Sequence, residues 1–222
     1  HVEMDVLNKI TKFVEEHHAQ LVVVSKTYPS ERLKEVYDQG IRIFGENKVQ
    51  EILEKKEILP SDIQWHMIGH LQSNKVKQIV SFITLIHSVD SEKLLNEIQK
   101  QAKKIDRKVD VLLQMHIAME ETKFGLDENE LKNILDNINS GKYSHVRIRG
   151  LMGMATFTED ENIVRNEFKT LKKIFDQTKL SLLHSSFDTL SMGMSGDYEL
   201  AIEEGSNMVR IGSLIFGKRN YG

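Results

Sequence analysis

Eight short runs rich in β-branched and apolar residues recur along this chain, and most are followed by a longer charged segment with helical spacing. The runs are LVVVS at 21–25, IRIF at 41–44, IQWHMIG at 63–69, FITLIHSV at 82–89, VDVLLQM at 109–115, VRIRGLM at 146–152, DTLSMGM at 188–194 and MVRIG at 208–212. Between them lie SERLKEVYDQG, NKVQEILEKKEIL, SEKLLNEIQKQAKK, DENELKNILDNI and EDENIVRNEFKTLKKIFDQT. Apolar residues there fall at three- and four-residue steps, as in Leu94, Leu95, Ile98 and Ala102. Ser30, Ser91 and Asp127 stand where helices start, and Gly40 where one stops. Residues 2–18 read as one extra leading helix.

Alternation of strand and helix implies parallel pairing with right-handed crossovers. Eight runs fit an α/β fold of one closed (β/α)8 TIM-like barrel. An open doubly wound sheet would carry G-x-G-x-x-G after its first strand, and none follows LVVVS. The 222 residues are fewer than the ~250 typical of barrels but within their range. With two prolines and no linker-like tract, the expected organisation is a single domain over 1–222.

Composition narrows the function classes. A net charge of −3 offers no clustered basic face for nucleic acid. The absence of cysteine excludes disulfides and thiolate metal sites, and fits a cytoplasmic location. No apolar run approaches the ~20 residues of a membrane helix, and no signal-like segment opens the chain.

In a barrel, chemistry sits at the C-terminal ends of the strands. The first run ends in Val24-Ser25-Lys26-Thr27-Tyr28-Pro29. Lys26 continues directly from apolar residues, whereas most other lysines fall on polar helix faces. Desolvation there favours the neutral amine, which is the form that attacks an aldehyde. The bland alternative is a strand-end ammonium in solvent. The seventh run leads into Ser191-Met192-Gly193-Met194-Ser195-Gly196-Asp197, and the eighth ends in Arg210-Ile211-Gly212-Ser213. Small residues and hydroxyls after strands seven and eight are where barrels commonly hold a phosphate. Ordinary helix capping by Ser195 is the competing explanation. Arg210 sits among residues that should be buried, so its guanidinium needs a partner. That partner is either a barrel carboxylate such as Glu46 or an acceptor on a ligand, for example a ring nitrogen. An arginine would leave such a nitrogen unprotonated and the ring a weaker electron sink.

The segments VVVSKTYP, FGENKVQE, WHMIGHLQSNK, GLMGM, LSMGMSGD and MVRIGSLIFG, in this order, resemble the pyridoxal phosphate homeostasis protein family. That family is itself similar to the N-terminal barrel of alanine racemase. The resemblance spans residues 21 to 217. It implies that Lys26 carries pyridoxal 5′-phosphate (PLP) as a Schiff base and that Arg210 faces the pyridine nitrogen. It also implies that Ser191, Ser195, Gly212 and Ser213 surround the phosphate and that Asn47 lies beside the cofactor. Met192 and Met154 are expected as apolar walls.

Alanine racemase carries a second, all-β domain whose tyrosine is the opposite-face base. This chain ends at Gly222, so that domain is expected to be missing. Racemisation needs a base on each face of the substrate carbanion. The resemblance therefore implies a carrier without substantial catalytic turnover, acting in vitamin B6 homeostasis and amino-acid and keto-acid balance. PLP-dependent apoenzymes are possible recipients, and a monomer is expected. The alternative is a PLP-dependent, racemase-like enzyme. A lysine Schiff-base aldolase acting on a phosphosugar would use the same loops without PLP. His66 and His70 have zinc-like spacing, but HMIGH lacks the glutamate of H-E-x-x-H and begins in a strand.

Overall fold

The computed structural model describes residues 2–121, 124–183 and 186–217. Eight parallel strands close into a ring in chain order. They are β1 (Gln20–Val24), β2 (Ile43–Glu46), β3 (Gln64–Met67), β4 (Leu85–Val89), β5 (Val109–Gln114), β6 (Val146–Met152), β7 (Thr189–Ser191) and β8 (Met208–Ile211). Closure is made by β8 against β1, with Val22 opposite Arg210 and Val23 opposite Ile211. The barrel expected from the alternation is therefore present. A closed ring leaves no strand edge exposed.

Helices cover the ring. They are α1 (Met4–Glu16), α2 (Ser30–Tyr37), α3 (Val49–Ile58), α4 (Glu92–Lys104), α5 (Glu128–Asn139), α6 (Glu161–Ser181), α7 (Tyr198–Glu203) and α8 (Ser213–Phe216). The β3–β4 crossover carries a 3₁₀ turn at Ser73–Gln78, with Val76 and Ile79 buried beneath it. The leading helix α1 buries Leu7, Ile10 and Val14 at three- and four-residue steps. It packs toward the end of the chain, where Glu3 N–H donates to Ile215 O and Phe13 meets Tyr198 edge-on.

Two layers of core follow from the two-residue period of the strands. The outward faces join the helices in one large apolar core that includes Val23, Phe44, Trp65, Met67, Val111 and Leu190. The inward faces hold a small apolar cluster of Val22, Leu85, Leu112, Met152 and Met208. At the N-terminal end of β5, β6 and β7 an ion ladder runs from Arg147 to Asp110 to Arg149 to Asp188. The inward polar residues His66, His87, Ser191 and Arg210 lie toward the other end and point to a site at the barrel mouth.

Candidate functional site

Four neighbouring strands bring most of the expected residues to one arc of the mouth. Because β7, β8, β1 and β2 are successive in the ring, residues from both ends of the chain meet there. Lys26 follows β1 and is half-buried; the strand alternation sets it on the side of Val22 and Val24. Asn47 follows β2 and is also half-buried, against Gly69, where a Cβ would lie 2.8 Å from the Asn47 backbone. The β7 and β8 loops touch, with Gly212 N–H donating to Ser195 Oγ at 3.4 Å. Ser213 follows at the first turn of α8. A Cβ on Gly212 would stand 2.6 Å from Val24 O, so only glycine lets β8 come this close to the strand that carries Lys26. Met154, past β6, packs against the interior apolar cluster.

Arg210 is 3% exposed and inside the barrel. Its guanidinium donates to Ser191 O at 3.1 Å, to Gly153 O at 3.3 Å, and to Ser191 Oγ. Ser191 Oγ lies 3.0 Å from His87 Nδ1, and His87 Nε2 lies 2.8 Å from His66 Nδ1. Arginine can only donate, so the Ser191 oxygen accepts from it. Giving the buried hydroxyl proton an acceptor makes His87 Nδ1 the acceptor. His87 then donates through Nε2 to His66. All the bonds run one way, from Arg210 to His66. Burial pushes the His66 imidazole down to about 3 and His87 well below its ordinary value, which keeps both rings neutral. Burial also pulls Arg210 down to about 10, opposed by the Asp197 charge, so Arg210 stays a cation at neutral pH.

Arg210 forms no ion pair with a described carboxylate, and Glu46 is not its partner. Glu46 lies on the outward face of β2 and pairs with Lys55 Nζ at 2.8 Å. Lys55 also donates to Ser25 O at 2.8 Å and meets Glu51 at 3.0 Å. Glu46 Oε2 accepts from Ser25 Oγ, and Thr27 N–H donates to Glu51 Oε2 at 2.9 Å. Burial pushes the Glu46 carboxyl up to about 7, against the pull of Lys55. Sequence reasoning missed this cluster, although a glutamate ending an apolar run was a usable signal.

Two expected residues are placed differently from the rest. Met192 is fully buried in the helix-side core, so its side chain faces away from the barrel interior. The Ser191 hydroxyl is held within the barrel by Arg210 and His87. Tyr28 stacks on Phe216 of α8 and its hydroxyl donates to Gly217 O at 3.1 Å. His66 and His70 do not converge: His66 pairs with His87 inside, while the exposed His70 meets Asp90 and stacks on Phe124.

Both the sequence and the fold match known proteins. The family described as alanine racemase, N-terminal domain, matches residues 6–220. The pyridoxal phosphate homeostasis protein of Aquifex aeolicus is 41% identical over 222 residues, covering 97% of this chain and 96% of that protein. The structure of PipY from Synechococcus elongatus with PLP bound superposes with a TM-score of 0.82 at 33% identity, covering 90% of this chain and 93% of that one. Alanine racemase from Bartonella henselae shares the fold, with a TM-score of 0.73 at 17% identity, covering 96% of this chain and 61% of that one. The chain belongs to the pyridoxal phosphate homeostasis protein family, built on the alanine racemase N-terminal domain.

Proposed function

We propose that this chain binds PLP as a Schiff base on Lys26 and holds it for cofactor homeostasis rather than for rapid catalysis. The observation that carries the reading is Arg210, a buried cation whose acceptors among the described residues are all neutral, set one strand from Lys26. A buried guanidinium in that setting calls for a further electron-pair acceptor. A pyridine nitrogen would fit that need, and the arginine would hold it unprotonated. PLP supplies an aldehyde carbon and an electron-withdrawing ring, and the second property is blunted by such a partner. Ser195, Gly212 and Ser213 are proposed to surround the phosphate, with Asn47 beside the cofactor and Met154 as an apolar wall. Ser191 serves by aiming Arg210, and Met192 backs the site from the outer core.

One lysine supplies one proton-transfer face, which favours holding over racemisation. The reading extends to a cytoplasmic monomer that passes PLP to apoenzymes. Among the described residues no helix is long and apolar enough to cross a membrane. The test is borohydride reduction of the protein mixed with PLP, followed by peptide mass mapping. We expect a yellow protein and a reduced pyridoxyl adduct on Lys26, both lost in Lys26→Ala. A colourless mixture with no adduct near residue 26 sinks the proposal. Sustained loss of chirality of a single amino-acid enantiomer, abolished by Lys26→Ala, would favour an enzyme instead.

A further inference from the structure

We propose that Glu46 and Lys55 are positioning residues for Lys26, acting through Ser25 and the turn at Thr27. The inference rests on the reading that Lys26 is the cofactor-bearing amine. Ser25 directly precedes Lys26 and is held at three atoms. Its N–H donates to Gly45 O at 3.0 Å, its carbonyl accepts from Lys55 Nζ at 2.8 Å, and its hydroxyl donates to Glu46 Oε2. Thr27 directly follows Lys26, and its N–H donates to Glu51 Oε2 at 2.9 Å. Glu51 in turn meets Lys55 at 3.0 Å. Both backbone neighbours of the amine are therefore tied to one ionic cluster. Thr27 has φ +68°, which is unfavourable for a β-branched residue and persists only when its surroundings impose it.

Stability alone does not explain the cluster. Glu46 is 0% and Lys55 7% exposed. Replacing a buried ion pair by apolar residues of similar volume is often neutral or stabilising. Apolar side chains cannot, however, accept from the Ser25 hydroxyl or donate to its carbonyl. Direction is what the ions supply, and the directed groups flank Lys26. Glu46 Oε1 is buried without a hydrogen-bond partner among the described residues, a further departure from a purely structural pair. The groups facing Glu46 are Lys55 and Glu51 from α3 and Ser25 after β1. With its carboxyl pushed up to about 7, the grip on Ser25 changes with pH near neutrality.

The experiment compares the full-length chain with Ser25→Ala, the double variant Glu46→Met/Lys55→Met, and Arg107→Met as control. Arg107 ties Val80 O and Ile83 O and lies outside the site. Three quantities are read: PLP affinity from visible absorbance, its profile between about pH 6 and pH 8, and the rate at which Lys26 is labelled by a trace amine-acylating reagent without PLP. The double variant is expected to keep its circular dichroism, to bind PLP about tenfold more weakly, and to lose the pH dependence near neutrality. Its Lys26 labelling rate is expected to change at least about threefold. Arg107→Met should melt earlier with PLP affinity unchanged. A folded double variant with wild-type affinity, pH profile and labelling rate overturns the proposal and leaves the cluster a structural pair. If the double variant does not fold, Ser25→Ala decides, since it buries no new charge. We expect it to bind roughly threefold more weakly and to alter Lys26 labelling, and wild-type values overturn the inference. A wild-type protein that forms no Schiff base defeats the proposed function alone, because the labelling comparison still decides this one.

Discussion

Among single residues, Ser191 has the most dependents for its size. Its hydroxyl accepts from Arg210 and meets His87 at 3.0 Å, all three side chains being buried. Ser191→Ala strands a guanidinium N–H and an imidazole nitrogen in the barrel interior. Leaving a buried polar group unsatisfied costs about 1–3 kcal/mol, so we expect a loss of that order in urea unfolding. Arg210, freed on one side, should also alter the absorption of bound PLP. Arg210→Glu tests the ring contact itself: PLP should be retained with a changed spectrum, and an unaltered spectrum counts against contact. Lys26 and Arg210 stand out in the sequence because one closely follows an apolar run and the other lies within one. The histidine chain does not, although His66 and His87 also sit in apolar runs. It depends on β3 and β4 aligning so that His66 pairs with Leu85, a relation between distant segments. Glu46 is legible as a carboxylate ending an apolar run, but its partner is Lys55 and not Arg210. Ile43 faces the interior, so Glu46, an odd number of residues on, faces the helices.

At the scale of elements, the alternation of runs was enough to specify the ring, while local turns set where pairing stops. The DTLSMGM run reads as one strand, yet β7 is only Thr189–Ser191. Gly193, at φ +105°, turns the chain there, and its missing side chain leaves room for Ala201, 2.6 Å from where a Cβ would be. In FITLIHSV the strand begins only at Leu85, and Ile83 before it joins the helix-side core. Caps were partly legible. Ser91 accepts from Leu94 N–H, and Asp127 forms a capping box with Glu130, whereas Ser30 is inside its helix and Pro29 stands at the cap. Two substitutions separate the energetics of these elements. Asp127→Ala should lower stability by about 1 kcal/mol through α5 alone. Gly150→Ala should do more, because its Cβ would lie 1.6 Å from Thr189 O, where β6 meets β7. Backbone must move to admit it, and we expect a loss of at least about 2 kcal/mol in chemical denaturation. Equal effects of the two would contradict the tight β6–β7 contact.

For the molecule as a whole, the interior charges fix how stability should follow pH. His66 and His87 are neutral when folded, with His66 pushed down to about 3 and His87 well below 6.5. Once unfolded, each takes up a proton below about pH 6.5. The unfolded chain then binds more protons, so these two residues destabilise the fold as pH falls below that point. Glu46 acts the other way. Its carboxyl, pushed up from 4.5 to about 7, is protonated in the folded chain where the unfolded chain is charged. Its contribution therefore falls as pH rises through that interval. Between about pH 4.5 and 6.5 two protons oppose one, and the histidines win by about 1.4 kcal/mol per pH unit. Below about pH 4.5 Glu46 is protonated in both states, and the loss steepens. The melting temperature should thus peak near neutrality and decline on acidification, with a steeper limb at the acid end. Glu46→Met/Lys55→Met removes the opposing term and should steepen the decline between about pH 6.5 and 4.5, whereas His66→Phe should flatten it. A wild-type melting temperature constant across that interval would mean that the two imidazoles are not held neutral inside the barrel. Arg210 would then lack the chain of neutral acceptors that aims it at the mouth.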